Sequence, residues 1–422
     1  GGLQALLVAC RILVSGSEIP MSRVQVPPRP PFYFVLFVFY VIGCMGLDGL
    51  GMSVGNAIIA MLRRPKQSDW RVRLEEFREL VVAAGYNVVD VVVQVKRFPV
   101  SATLFGRGKV REFRVRAEEN GADTLIVWNS LKSIQKFNLE RFTGLRVIDR
   151  YELVLEIFQN HAGDKLAKLQ IELAYLEKLI PYFKLREKLI HGPSDKPFFR
   201  AGGEYGWVPK IAWLRKRRKK LNEEINRLLR KKVEEIRKRK ELGFRIVTFV
   251  GYYNAGKTSL FNLLTGEDKR VSPMPFTTLS PKYSRLRNAD RILLVDTIGF
   301  VSGLDPRIIS SFRLNLEDIL EADLLVWVVD VSDSDELLDL KIRATANILR
   351  RNHVLDKARI VVANKIDMLD MLHEDIVYRV QSIMSKYISV PTIIPCSAKT
   401  GEGTQSLAIK INQTLFEGLH VL

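Results

Sequence analysis

Residues 244 to 265, FRIVTFVGYYNAGKTSLFNLLT, put an apolar run, a glycine-bearing loop and an amphipathic stretch into one block. Gly251, Gly256, Lys257 and Thr258 fit the pattern G-x-x-x-x-G-K-[ST]. That pattern suits a polyphosphate, because successive backbone N–H groups must turn inward around it and only glycine permits the tight points. The helix expected from Lys257 onward aims its positive end at the same anion. Lys257 would then bridge the β- and γ-phosphates and the Thr258 hydroxyl would hold Mg²⁺, while Asn254, Ala255 and Ser259 complete the cradle. The plainer alternative is a glycine turn between a buried strand and a helix.

A chain of 422 residues is too long for one ordinary core, so two or three domains are expected. The composition is that of an α/β protein with an unusual charge. A net charge of +18 repels itself unless something negative lies against it, which points to RNA, DNA or an anionic membrane. Cys10, Cys44 and Cys396 are too far apart to form a metal motif or a disulfide framework, and this favours a reducing compartment.

The first 55 residues differ from the rest. FYFVLFVFYVIGCMGL at 32 to 47 follows the proline-rich PPRPP at 27 to 31. It is slightly short for a spanning helix, which needs about twenty apolar residues. The readings are a membrane anchor, a signal-like segment, or an upstream extension with the natural start at Met21, Met45 or Met52, and the extension is favoured. From Asn56 to about residue 160, strands at 56–61, 87–95, 123–128 and 145–149 alternate with helices at 70–84, 109–120 and 131–142. That alternation argues for a small parallel sheet covered on both faces. Within it FGRGKV, at 105 to 110, is either a partial phosphate cradle or an ordinary strand-to-helix turn.

The segment 161 to 242 changes character. Leu166, Leu169, Leu173, Leu176, Ile180 and Phe183 recur at steps of three and four, with Pro181 expected to kink or end their helix. A second helix is expected from Pro209 to Glu241 with Leu214, Leu221, Ile225, Leu228 and Ile236 inward, making an antiparallel hairpin. It carries unbroken cations from Arg215 to Lys220, from Arg230 to Lys232 and from Arg237 to Lys240. Such runs can be a solvated face. Their density instead favours a phosphate backbone, and the aromatic and glycine residues of the connector at 191 to 207 favour folded RNA over a DNA groove.

In 243 to 422 further signals follow in fixed order. RILLV at 291 to 295 leads into Asp296, Thr297, Ile298 and Gly299, where Asp296 can hold Mg²⁺ through water and the Gly299 N–H can sense a γ-phosphate. PFTTL at 275 to 279 offers hydroxyls for the metal shell. Asn364, Lys365, Ile366 and Asp367 follow the strand expected at 359–363. The Asp367 carboxylate can accept from N1–H and the exocyclic amine of guanine, whereas adenine would leave it unpaired. Lys365 would lie along the base, Asn364 would tie loops together or meet the purine edge, and Ser397, Ala398 and Lys399 would supply a backbone N–H for guanine O6.

These motifs together resemble the HflX family within the Obg-HflX group of translation-factor-related GTPases. GYYNAGKTSLFNLLT, PFTTL, DTIGF, NKID and CSAK carry the resemblance in the last domain. LFGRGKV, RVIDRYELVLEIF and KLQIELAYLEKLIP carry it earlier, so that it covers about residue 56 to the end, and the short connector FFRAGGEYG at 198 to 206 suggests an archaeal-type member. The resemblance implies an α/β fold with a P-loop GTPase domain preceded by a small α/β domain and an antiparallel helical hairpin. It also implies GTP hydrolysis with Mg²⁺, and a monomer in the cytoplasm that docks on the large ribosomal subunit and its rRNA and in some members separates subunits. By the match to the family's F-x-T-L element, Thr278 is the expected switch threonine; Lys257, Thr278 and Gly299 form the catalytic set, and Thr258, Thr278 and Asp296 the metal set.

Two departures stand out. FFRAGGEYG at 198 to 206 replaces the longer glycine-rich connector of bacterial members, and the extra carboxy-terminal domain of some relatives is expected to be absent. Phe300 stands where many small GTPases place a water-orienting glutamine, so slow hydrolysis accelerated by a partner is expected. The competing readings are a GTP-gated RNA chaperone or assembly factor and a membrane-anchored GTPase; DNA is not an expected partner.

Overall fold

In the computed structural model, the described residues are 55–161, 165–191, 207–267, 282–301, 313–389 and 391–416. The chain divides into residues 1–52, outside this set, and one compact unit from residue 53 to 422. The expectations for the amino-terminal extension, for PFTTL with Thr278, and for the connector at 198 to 206 therefore lie outside the described residues. No helix among the described residues is long and apolar enough to cross a membrane.

The first sheet is built from β1 (Asn56–Arg63), β2 (Asn87–Val95), β3 (Thr124–Val127) and β4 (Arg146–Asp149), all parallel in the order β2-β1-β3-β4. Helices α1 (Trp70–Ala83), α2 (Arg107–Asn120) and α3 (Ser133–Thr143) connect the strands, and α4 (Arg150–His161) follows β4 directly. Side chains alternate across a strand, and here that alternation builds two cores. Ala57 and Ile59 pack toward Phe77 and Leu80 of α1 and Val154 and Phe158 of α4, while Ile58 and Ala60 pack toward Phe113 of α2 and Leu139 of α3.

The arm consists of α5 (Lys165–His191) and α6 (Trp207–Glu241). Lys165 pairs with Glu224 and Glu172 with Arg217, so seven residues forward on one helix is seven back on the other, and the two run antiparallel. Two expectations need correction. The first helix does not end at Pro181; it runs through it, because Ile180, Tyr182 and Phe183 around the proline are all buried and their packing outweighs the lost backbone hydrogen bond. On α6 the inward position falls to Leu229 rather than Leu228, at a four-residue step from Ile225. Midway along α5, Lys178 lies 2.5 Å from the fully buried Asp149 at the end of β4.

The second sheet has the order β10-β9-β8-β5-β7-β6, formed by β5 (Arg245–Gly251), β6 (Lys282–Arg285), β7 (Ile292–Asp296), β8 (Leu324–Asp330), β9 (Ile360–Asn364) and β10 (Thr392–Cys396). All pairings are parallel except β6 with β7. Helices α7 (Lys257–Thr265) and α11 (Thr404–Phe416) cover one face. The helices α9 (Asp335–Arg351) and α10 (His373–Met384) cover the other, and α8 (Arg313–Leu320) precedes β8. The chain leaves β5 toward β6 and β7 and then returns to its other side at β8. The carboxyl ends of β5 and β8 thus flank a switch point, where open α/β sheets bind ligands.

Candidate nucleotide site

The loop from Gly251 to Thr258 occupies that switch point. Gly251 has φ of 148°, and a Cβ on it would lie 2.2 Å from the Val328 carbonyl oxygen of β8. Gly256 has φ of 91°, and a Cβ there would meet Asn364 Nδ2 at 2.1 Å. Both glycines are therefore demanded by position and not only by pattern.

Lys257 opens α7 with its side chain buried; Nζ donates to the carbonyls of Tyr252 (2.6 Å) and Gly251 (3.3 Å). Burial pushes its pKa down to about 8, against the pull of Asp296. A cation held in this way gains from any anion placed in the loop. Thr258 Oγ1 lies 3.0 Å from Asp296 Oδ2, and Asp296 is fully buried at the end of β7. A hydroxyl and a carboxylate oxygen so close together are the hard donors that Mg²⁺ takes, and the pair fits that ion.

Beyond Asp296, the chain binds back onto the phosphate loop. Phe300 N–H donates to the Gly251 carbonyl and Tyr253 N–H to the Phe300 carbonyl, each at 2.9 Å. Gly299 lies so close that a Cβ would come within 2.5 Å of Tyr253 Cα and 3.0 Å of Lys257 Nζ. The Phe300 side chain is buried in the cluster that holds Val250, Ile319 and Trp327.

The base end is assembled from the ends of β9 and β10. Asn364 Nδ2 donates to the Ala255 carbonyl (2.8 Å) and its Oδ1 accepts from Ala398 N–H (2.9 Å), so it ties the phosphate loop to the last loop. Ser397 Oγ donates to Asp367 Oδ1 at 2.6 Å and accepts from the N–H groups of Lys399 and Thr400. Lys365 takes a left-handed φ of 73° and its ammonium pairs with Asp330.

Asp330, at the end of β8, is one residue that sequence reasoning passed over. Tyr252 and Tyr253 are two more. At the variable positions of the loop, they reach into the first domain's core, where the Tyr252 hydroxyl donates to Glu76 and that of Tyr253 to Glu79 (3.3 Å). Glu76 also accepts from Arg150 at 3.0 Å. Two adjacent aromatics inside a phosphate loop were the available signal that another domain covers it.

The family profile described as GTP-binding GTPase N-terminal matches residues 71–159, and that described as 50S ribosome-binding GTPase matches residues 246–365. A GTPase HflX of Hyperthermus butylicus is 37% identical over 359 residues, covering 83% of this chain and 93% of that one. The GTPase HflX of Saccharolobus solfataricus is 33% identical over 347 residues, covering 80% and 95%. A crystal structure of a GTP-binding protein from Sulfolobus solfataricus in complex with GDP aligns at 28% identity and a TM-score of 0.45, covering 86% of this chain and 99% of that one. The chain belongs to the HflX family of GTP-binding, GTP-hydrolysing proteins.

Proposed function

We propose that GTP and GDP set how the α5–α6 arm meets RNA of the large ribosomal subunit, and that hydrolysis resets it. The observation that carries this reading is the arm's charge. Of the run from Arg215 to Lys220 on α6, Arg217 pairs with Glu172 at 2.7 Å and Lys219 more loosely with Glu223 at 3.9 Å, and all but Arg217 are exposed. Exposed cations at this density release condensed counterions from a phosphate backbone on binding.

The arm's root supports nucleotide control. Lys232 of α6 pairs with Asp318 of α8, the Arg239 guanidinium lies 4.0 Å from the centre of the Tyr283 ring on β6, and Ile236 is buried against Ile246 and Val295. Strand β6 and α8 each follow a segment that the γ-phosphate orders in GTPases.

In the hydrolytic step, Lys257 would neutralise charge on the β- and γ-oxygens and the Gly299 N–H would meet the γ-phosphate. Asp367 would select guanine and Lys365 would lie along the base, while Asn364 holds the phosphate loop to the loop of Ser397, Ala398 and Lys399. Mg²⁺, when bound, would neutralise phosphate charge; Thr258, Asp296 and Thr278 are its proposed holders. The side chain of Phe300 contributes no water-orienting group, so turnover is slow until a ribosomal partner supplies one. In this reading, the protein is a cytoplasmic monomer acting on RNA, not DNA.

Sedimentation with large subunits tests the proposal: cosedimentation strong in GTP, weak in GDP and weakened by salt is expected. Attachment indifferent to nucleotide and salt overturns it. Single-turnover hydrolysis at equal rates with and without ribosomes overturns the activation step.

A further inference from the structure

We propose that the carboxyl edge of the first sheet is a second RNA-binding surface, which grips single-stranded RNA at a place separate from the arm; the proposal rests on the RNA reading above. The edge is assembled by pairing. Arg63 ends β1 opposite Val95 of β2, and Lys96 N–H continues the ladder to the Arg63 carbonyl at 3.0 Å. Gly106 N–H donates to Gln94 Oε1 (3.0 Å), which anchors the first turn of α2 beside the end of β2. Arg64, Lys96, Arg97 and Arg107 are thereby gathered on one edge.

Residues 55 to 68 and 91 to 111 contain no Asp or Glu. The flanking acids are engaged elsewhere: Asp69 with Arg73 and Arg343, Asp90 with Arg116, and Glu112 with Lys109 and Arg116. Arg64, Lys66, Lys96, Arg97 and Arg107 meet no carboxylate among the described residues, and Arg64, Lys66, Arg97 and Arg107 are exposed. A like-charged cluster of this kind is stable against a polyanion.

Two further features give the polyanion its identity. Phe98 is 67% exposed with the Arg97 guanidinium 5.3 Å from its ring centre, an arrangement on which an unpaired base stacks. Helix α2 begins at Arg107 with no side-chain cap and no acid in its first turn, so its positive end adds to the attraction of the cations for a phosphate. An anionic membrane would ask for a broad apolar face, and among the described residues the large hydrophobics exposed on this edge are Val95 and Phe98.

The test compares the full chain, an edge variant (Arg64→Ser, Lys96→Ser, Arg97→Ser and Arg107→Ser together), Phe98→Ser, and an arm variant with Lys216, Arg218, Lys219 and Lys220 changed to Ser. The probe is fluorescein-labelled oligouridylate, read by anisotropy across salt concentrations. The edge variant is expected to flatten the slope of log affinity on log salt by about 3, at roughly 0.7 per lost phosphate contact. Phe98→Ser is expected to weaken binding about tenfold at constant slope, in line with stacking energies. Unchanged GTP binding verifies folding. An edge variant with unaltered slope and affinity overturns the proposal, as does one that loses only binding to phosphatidylserine vesicles. The arm reading fails separately, if the arm variant keeps nucleotide-dependent sedimentation with large subunits.

Discussion

The ammonium of Lys232, about three-quarters of the way along the second arm helix, lies 2.5 Å from Oδ2 of Asp318, a fully buried carboxylate of the GTPase domain. The same carboxylate accepts from the Tyr283 hydroxyl on β6, so one group joins the arm, an edge strand and α8. Burial raises the Asp318 pKa, against the opposing pull of Lys232 and Tyr283. Lys232→Met is therefore expected to leave a buried carboxyl without its counterion, at a cost of about 3 kcal/mol in denaturant unfolding. It is also expected to reduce the difference between GTP and GDP in sedimentation with large subunits while leaving GTP affinity within about twofold, since Lys232 is remote from the loop.

The nucleotide-free Lys257 is held near pKa 8 by burial, and a bound polyphosphate would raise that value. A group whose bound pKa exceeds its free pKa contributes affinity fully below the free value and loses it as pH rises. GTP affinity is accordingly expected to be flat below pH 8 and to fall by up to about tenfold per unit above it. Calorimetry in buffers of different ionisation enthalpy should register proton uptake on binding near pH 8 to 9. The apo protein has the opposite sense: its folded pKa lies below that of an unfolded lysine, so this residue lowers stability below pH 8 and the deficit shrinks toward pH 10.

Asp367 presents one oxygen to Ser397 and leaves the other for guanine. Asp367→Ala would remove the two charge-assisted hydrogen bonds proposed to the base, each worth roughly 1.5–3 kcal/mol. The ratio of GTP to ATP affinity, measured by competition with a fluorescent nucleotide, is expected to drop at least a hundredfold. Retained discrimination would place base recognition elsewhere.

The sequence made the strands readable for a physical reason: β2 and β9 are short, largely apolar runs, and their bounds fall within one residue of those expected. The nucleotide motifs were equally readable, because each demands particular atoms at fixed spacing. Less legible were features created by tertiary contact. Pro181 is tolerated because buried neighbours hold its helix, and no local rule encodes those neighbours. Tyr252 and Tyr253 look like arbitrary loop residues until Glu76 and Glu79, more than 170 positions earlier, are folded over them. Asn364 had two readings in sequence, and only its bonds to Ala255 and Ala398 select the loop-tying one.

Phe300 offers the sharpest separation between a lost catalytic group and a packing residue. Its backbone pairs with the phosphate loop on both sides, through Gly251 and Tyr253, which turns the side chain into the buried cluster with Ile319 and Trp327. Phe300→Gln would thus place an amide in an apolar site, not beside an attacking water. The expected outcome is a loss of roughly 1–3 kcal/mol in stability from the unsatisfied amide, with no acceleration of single-turnover GTP hydrolysis. A more hydrophobic Phe300→Leu should cost about 1 kcal/mol and leave the hydrolysis rate unchanged. A faster Phe300→Gln enzyme, by contrast, would mean that the side chain swings to the γ-phosphate during turnover and that the slow step is water orientation at this position.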